Sequence, residues 1–263
     1  MTTINTLSKK LIALLLALCC IPILQLAAPT KEIQANASDS RGYNTFSNWN
    51  SFVNSYTRNA LGYNITNKQS KRFDMPSDFY IKRGPLYPFE IPNEMNCTLI
   101  SIQNLLNRYR YAKKGISTQT NLAKYVTYSR IEQIARNNYN YSSSSGLAVW
   151  NHKGACTSAF NSLGFSNTNV NTFSKLDSTF TTNDLCRNEP YILSSTTTYH
   201  SIYVYGWTKA TLNLDTPSGV ASRTIILLNA FDPNGDHVLI DGNNIIKNSA
   251  SDMEQVMYIK SCS

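Results

Sequence analysis

Asn96-Cys97-Thr98-Leu99-Ile100-Ser101-Ile102-Gln103-Asn104-Leu105-Leu106 predicts a buried helix that carries a cysteine in its first turn. Apolar side chains recur there at steps of three and four residues, which places them on one helical face. These side chains are Leu99, Ile102, Leu105, Leu106 and Tyr109. Asn96 is the expected N-cap, with its side chain accepting a hydrogen bond from the first turn. Gly115, directly after two lysines, is the expected end of the helix.

The position of Cys97 gives it two interpretations. Free N–H groups and the positive end of the helix dipole favour a thiolate at a helix N-terminus. An ordinary cysteine has a pKa of about 8.5 and is mostly protonated at neutral pH, whereas a thiol in such a setting titrates lower. Cys97 is therefore either a nucleophile, whose base comes from the later half of the chain, or a small apolar side chain of the core.

Residues 1–37 have the features of a secretory signal peptide. Lys9-Lys10 precedes a nearly continuous apolar run over residues 11–28, and Ala35-Asn36-Ala37 supplies a cleavage site of small residues. We expect a secreted, extracellular protein with no stable membrane insertion after the signal is cleaved. The length of the apolar run leaves an uncleaved membrane anchor as the alternative.

The remaining chain divides by composition into two parts. Residues 38–85 are polar and aromatic and form an N-terminal arm or a removable pro-segment; their basic pairs Lys71-Arg72 and Lys82-Arg83 are interpreted as exposed or as sites of cleavage. Residues 86–263 form the main domain, and we expect a monomer. The net charge of +8 is spread along the chain without a basic run, which argues against nucleic-acid binding. It suits association with an anionic cell wall or with acidic substrates, and a charge that only keeps the protein in solution explains it as well.

The cysteine spacing gives no sign of a metal site. Four cysteines follow the signal peptide: Cys97, Cys156, Cys186 and Cys262. The spacings Cys-x-x-Cys and His-x-x-x-His are both missing, so we expect no zinc site, and nothing indicates another metal or an organic cofactor. If Cys97 is a nucleophile, at most one disulfide forms among the other three cysteines, and the pairing stays open.

The order of predicted elements indicates an α+β fold. Helical patterns cover residues 46–60, 118–138 and 153–163, and the second has an expected buried face at Leu122, Tyr125, Val126, Ile131, Ile134 and Ala135. Residues 64–92 are irregular, with several prolines. Short β-branched and aromatic runs separated by turn signals follow from residue 191 to residue 260. Helices followed by strands are typical of an antiparallel sheet in an α+β domain.

A cysteine nucleophile needs an imidazole base and a group that orients it. His200 opens the predicted strand 200–206 and is the candidate base, with a buried structural histidine as the alternative. Asp232 follows the next strand and is the candidate orienting group, although an Asp-Pro turn without chemistry explains it equally well. Asn229 and Asp236 are its rivals. The other two histidines, His152 and His237, are interpreted as structural or exposed.

Cys97, His200 and Asp232, in this order on a helix and two strands, resemble the papain-like cysteine peptidases. The resemblance covers roughly residues 90–240 and is closest to secreted bacterial relatives of the bacteriocin-processing peptidase domain. It implies N-terminal helices packed on a C-terminal antiparallel sheet or open barrel. It also implies that Cys97 attacks peptide or protein substrates, that His200 is general base and acid, and that Asp232 orients the imidazole during acyl-enzyme formation and hydrolysis.

Two positions depart from the pattern of that family. Its second oxyanion donor is usually a glutamine several residues before the cysteine; that stretch has none here, and Asn93 is the candidate substitute. Thr98-Leu99 replaces the usual Gly-Pro pair. The alternatives are a cell-wall amidase of the CHAP kind, a non-catalytic secreted domain with the same fold, and a transglutaminase-like acyltransferase.

Overall fold

The computed structural model describes seven stretches of the chain: residues 43–86, 89–91, 95–174, 181–195, 200–235, 237–247 and 254–263. All of them belong to one compact unit. The predicted signal peptide, the candidate oxyanion donor Asn93 and the rival orienting residue Asp236 lie outside the described residues.

The four longest helices of the described part lie at the predicted positions and differ in their ends, whereas the short helix over residues 242–247 was not predicted. They are α1 (Trp49–Thr57), α2 (Cys97–Lys114), α3 (Asn121–Tyr139), α4 (His152–Ser162), α5 (Thr182–Leu185) and α6 (Gly242–Lys247). Helix α2 ends at Gly115, which adopts a left-handed conformation with φ of 65°. That conformation suits glycine because it has no Cβ.

The strands of the described part are β1 (Thr45–Phe46), β2 (Gly62–Arg72), β3 (Gly84–Leu86), β4 (Phe89–Ile91), β5 (Asn169–Ser174), β6 (Tyr191–Ser195), β7 (His200–Thr216), β8 (Gly219–Phe231), β9 (His237–Asp241) and β10 (Glu254–Ser261). The main sheet is antiparallel with the order β1-β9-β8-β7-β6-β10-β5, and β2 pairs with the outer part of β7. Strands β3 and β4 form a separate hairpin. The described residues thus form a mixed fold of helices and an open antiparallel sheet, as the order of predicted elements indicates.

Helices cover both faces of this sheet. Helix α2 packs on β6 and β7, and its apolar residues share a cluster with sheet residues such as Ile192 and Tyr203. On the other face, Leu185 of α5 and Ile245 of α6 belong to a second cluster. Helix α1 covers the outer half of the long β7–β8 hairpin with Phe52 and Val53.

Helix α2 lies at the centre of the fold. Its first eleven residues, from 97 to 107, are all buried, including polar ones. The Asn104 side chain accepts a hydrogen bond from the backbone N–H of Ile81 at 2.7 Å and donates one to its carbonyl at 3.0 Å. Asn107 donates to the carbonyl of Phe79 at 2.7 Å. Buried polar groups need such partners, so these amides attach the N-terminal segment to the central helix.

Two predictions about this part of the chain were wrong. The predicted buried face of α3 is right for Ile131, Ile134 and Ala135, but Leu122 and Val126 are each 56% exposed. The buried face in the first half of the helix runs through Lys124, Thr127 and Tyr128. The stretch 64–92, predicted to be irregular, contains most of β2. Nearly all side chains of β2 are exposed and polar, so this strand is held by backbone pairing to β7 and carries no hydrophobic pattern.

Candidate active site

Cys97 is the first residue of α2, and its side chain is buried with 6% exposure. Asn96 precedes the helix as predicted, but the prediction that its side chain caps the helix was wrong. Its side chain instead accepts a hydrogen bond from Arg83 Nε at 2.8 Å and donates one to the hydroxyl of Tyr128 at 3.0 Å. These two bonds fix the chain immediately before the cysteine.

The sheet brings His200 and Asp232 to the same end of neighbouring strands. His200 is the first residue of β7, and Asp232 directly follows β8; the antiparallel pairing of Tyr203 with Phe231 makes these two ends adjacent. His200 Nε2 lies 3.0 Å from Asp232 Oδ1, and both side chains are buried. Of the two described candidates for an orienting group, Asp232 is therefore the one for which the structure records a bond to the imidazole.

Hydroxyl groups hold the start of α2 against the start of β7. Thr98 Oγ1 lies 2.8 Å from Ser201 Oγ, and Ser101 Oγ donates to the carbonyl of Ser201 at 3.2 Å. Thr98 follows Cys97 and Ser201 follows His200 in the chain. These bonds between helix and strand therefore bring the thiol next to the imidazole.

The surroundings of Cys97 stabilise its thiolate. Burial raises the pKa of the Cys97 thiol, but a hydrogen bond and charge interaction with His200 oppose this effect. A backbone hydrogen bond from Ser201 and the charge of Arg83 act in the same direction as the imidazole. Together they bring the pKa of Cys97 below its ordinary value, as a nucleophilic cysteine requires.

The pKa of the His200 imidazole is shifted in the opposite direction. Burial lowers the pKa of His200, but hydrogen bonds to Asp232 and Cys97, with the charges of those groups, outweigh it and raise the pKa to about 9. Burial raises the pKa of Asp232, but the bond and charge of His200 bring it below its ordinary range. These shifts favour a thiolate on Cys97, an imidazolium on His200 and a carboxylate on Asp232.

The two nitrogens of the His200 ring have different surroundings. Nε2 is bonded to Asp232. Nδ1 is buried and has no hydrogen-bond partner of ordinary geometry among the described residues, although the Cys97 thiol perturbs the pKa of the ring through a side-chain interaction. The bond to Asp232 sets the orientation of the ring. Nδ1 is then the nitrogen that remains for proton exchange with the thiol.

A pocket of about 290 Å³ opens beside Cys97 and His200. Its outer wall is formed by residues 145–150, and the described residues that line it include no Asp, Glu, Lys or Arg. Trp150 lies on this wall with 77% of its surface exposed. Gly146 has a φ of 75°, and a Cβ there would lie 3.0 Å from the carbonyl oxygen of Met95. The absence of a side chain at this position therefore allows the wall to approach the chain just before the cysteine.

His152 is buried behind this wall, in agreement with a structural interpretation. Its Nε2 lies 3.0 Å from the carbonyl oxygen of Leu147 and 3.3 Å from Thr98 Oγ1, and its Nδ1 lies 3.3 Å from Ser194 Oγ. Burial lowers the pKa of His152 to about 4. A neutral ring with the proton on Nε2 therefore donates to the Leu147 carbonyl and holds the wall.

His237 lies outside the site, where its Nδ1 contacts the hydroxyl of Tyr205 at 2.9 Å. The sequence analysis missed Arg83, which contacts the residues on both sides of the site. Its side chain bonds to Asn96 and Asn234, and its backbone N–H donates to the carbonyl of Pro233 at 2.8 Å. The only sequence signal for Arg83 was a basic pair, which was interpreted as exposed or cleavable.

None of the four cysteines after the predicted signal peptide takes part in a disulfide. In the part of the chain that the structure describes, no group of three or more His, Cys, Asp or Glu side chains is arranged to hold a metal ion. No helix of that part is both long enough and apolar enough to span a membrane. Comparison with protein-family models, with curated proteins and with solved structures found no match to this chain.

Proposed function

We propose that this chain is a papain-like cysteine peptidase, secreted by a bacterium, that cleaves peptide bonds through an acyl-enzyme. One observation carries the proposal. His200 is bonded through Nε2 to Asp232 at 3.0 Å and keeps its other nitrogen for the thiol of Cys97, at the N-terminus of a buried helix. A nucleophile, a base and a group that orients the base are the parts that such catalysis needs.

The opposite pKa shifts of Cys97 and His200 support this chemistry. The thiolate attacks the carbonyl carbon of the scissile bond and forms a C–S bond, and the imidazolium then gives its proton to the leaving amine as the C–N bond breaks. The neutral imidazole next takes a proton from water, whose oxygen attacks the thioester and releases the acid and the thiolate. Asp232 holds the ring in place and stabilises its charged form.

The backbone N–H of Cys97 is the first candidate for binding the oxyanion, because the first N–H groups of a helix have no partners within that helix. Asn93 stays the candidate for the second donor. Loss of one oxyanion donor lowers kcat by about 10²–10³-fold in other enzymes. An Asn93→Ala variant should therefore keep the low thiol pKa of Cys97 and lose hydrolysis.

The test of the proposal is cleavage of peptide bonds by the purified protein. We would incubate it with a mixture of peptides of varied sequence and identify new termini by mass spectrometry. Purified peptidoglycan, assayed for released amino groups, is the second substrate. We expect cleavage of peptides by the wild type and by Cys262→Ser, in which a half-buried cysteine beside Lys113 at the opposite end of α2 is replaced, and no cleavage by Cys97→Ala.

The outcomes separate the alternatives. Release of amino groups from peptidoglycan, without cleavage of ordinary peptides, would replace the peptidase by a cell-wall amidase. Equal cleavage by the wild type and by Cys97→Ala would show that a contaminant is responsible. A wild-type protein whose Cys97 reacts with iodoacetamide like an ordinary thiol, and which cleaves neither substrate, would leave a non-catalytic domain.

A further inference from the structure

Arg83 joins the two chain segments that carry the ends of the candidate site. Its Nε donates a hydrogen bond to Asn96 Oδ1 at 2.8 Å, directly before Cys97. Its Nη1 donates to Asn234 Oδ1, and its backbone N–H donates to the carbonyl of Pro233 at 2.8 Å. One side chain thus contacts the start of α2 and the turn after β8.

The turn bound by Arg83 also positions the carboxylate. The backbone N–H of Asn234 donates to Asp232 Oδ1 at 2.7 Å, and that same oxygen lies 3.0 Å from His200 Nε2. The backbone N–H of Gly235 closes the turn with a bond to the carbonyl of Asp232 at 3.1 Å. Movement of Asn234 would therefore move the oxygen that orients the imidazole.

A guanidinium suits this role better than other cations. Its N–H groups lie in one plane in a fixed fork, so two acceptors bonded to Nε and Nη1 are held at a fixed separation. A lysine ammonium is a single point on a flexible stem and does not impose this separation. Arg83 is itself held in place, because the backbone of Ile81 makes both of its hydrogen bonds to the buried Asn104.

The charge of Arg83 acts on the reacting groups as well. It contributes to lowering the pKa of Cys97, after burial and the effects of His200 and Ser201 are counted. The charge of Arg83 also contributes to lowering the pKa of Asp232. Among the groups around the site, His152 is neutral because burial lowers its pKa to about 4, so Arg83 and His200 are the cations that favour the thiolate.

We propose that Arg83 is a positioning residue of this site, which sets the separation between the start of α2 and the turn that carries Asp232. The proposal rests on the proposed function for its catalytic consequence. Arg83 belongs to residues 38–85, the predicted arm or pro-segment. In this proposal that segment is therefore a permanent part of the site.

The test measures the reactivity of Cys97, which requires no substrate. Alkylation by iodoacetamide between pH 4 and 10, with peptide mapping to Cys97, would be compared in wild type, Arg83→Met, Arg83→Lys and Arg72→Met. The last variant is the matched control, because Arg72 pairs with Asp74 on the surface of the same segment, where both side chains are 55% exposed. Circular dichroism would establish that each variant is folded.

In Arg83→Met we expect the midpoint of Cys97 alkylation to rise and the alkylation rate below that midpoint to fall a few-fold, because one of several groups that stabilise the thiolate is removed. Arg83→Lys keeps a cation and loses the fork, so its midpoint should move less than that of Arg83→Met. In peptide hydrolysis both variants should lose kcat while KM changes less than about two-fold, since alignment and not binding is affected. Arg72→Met should behave as the wild type in every assay.

Failure of this inference and failure of the proposed function give different results. If the wild-type Cys97 titrates as an ordinary thiol, the proposed function fails. If the wild type titrates low and a folded Arg83→Met has the same midpoint, rate and kcat, the role of Arg83 is refuted while the proposed function stands. Should Arg83→Met fail to fold, Arg83→Lys decides: wild-type kcat in this variant refutes the role of the fork, and a reduced kcat supports it.

Discussion

Replacement of Asp232 by asparagine removes the charge from the bond to His200 and preserves the shape of the side chain. The two groups lie 3.0 Å apart and are both buried. Burial alone lowers the pKa of His200; the bonds and charges of Asp232 and Cys97 raise it to about 9. A hydrogen bond to a charged group contributes about 1.5–3 kcal/mol, which corresponds to about one to two pH units.

The sign of the effect follows from the direction of these shifts. In the wild type the imidazolium persists up to about pH 9, so the thiolate–imidazolium pair exists from the lowered pKa of Cys97 up to that pH. In Asp232→Asn the upper limit should fall towards pH 7 to 8, and the pKa of Cys97 should rise because its cationic partner is weakened. The pH range in which Cys97 and His200 are both charged therefore narrows at both ends. Because the two groups interact, the two measured pKa values belong to the pair.

Two measurements follow this change. NMR resolves the ring signals of His200, since the chain contains three histidines, and alkylation by iodoacetamide reports the thiolate. Asp241→Asn is the control, because Asp241 is also buried and accepts bonds from the hydroxyl of Tyr56 at 2.9 and 2.7 Å, on another part of the sheet. A ring of His200 that titrates near pH 9 in Asp232→Asn would refute the reasoning.

Three further substitutions test the neighbouring parts of the structure. In the wild type the unfolded chain binds a proton on His152 at about pH 6.5, but the buried ring binds one only at about pH 4, so the free energy of unfolding falls by about 3 kcal/mol as the pH is lowered through this range. His152→Gln should remove this part of the pH dependence between pH 7 and 4.5, as measured by urea unfolding. Trp150→Ala should raise KM for peptides with apolar side chains and change the free energy of unfolding by less than about 0.5 kcal/mol, because Trp150 is 77% exposed on the wall of the pocket beside Cys97. Asn104→Ala should lower the free energy of unfolding by about 3 kcal/mol in urea, since it leaves both backbone groups of Ile81 without their bonds.

The sequence was most informative where local pattern and fold agree. The helix that starts at Cys97 was predicted because apolar spacing, basic residues and Gly115 point to the same element. His200 and Asp232 were predicted to lie near one another because both flank strands with clear β-branched patterns. In each case the signal lies within one element or between consecutive strands.

The remaining features depend on contacts between distant parts of the chain. The buried amides of Asn104 and Asn107 have partners more than twenty residues away, so helical spacing alone gives no reason to bury them. The prediction that Leu122 and Val126 of α3 are buried was wrong because both match helical spacing, and only packing against α2 and α4 selects which side chains of that helix are buried. Strand β2 has a mostly polar sequence, and its pairing is with the backbone of β7.

The same long-range contacts bear on the two interpretations of residues 38–85. Removal of this segment as a pro-segment would strip β2 from β7 and take Phe79 and Ile81, both almost fully buried, out of the main apolar cluster. It would also break the bonds of Asn104 and Asn107, leaving buried amides without partners, which is strongly unfavourable. A segment that is removed after folding would be expected to lie on a core that is complete without it, whereas Phe79 and Ile81 of this segment are part of the core. The packing therefore favours an arm that stays with the domain.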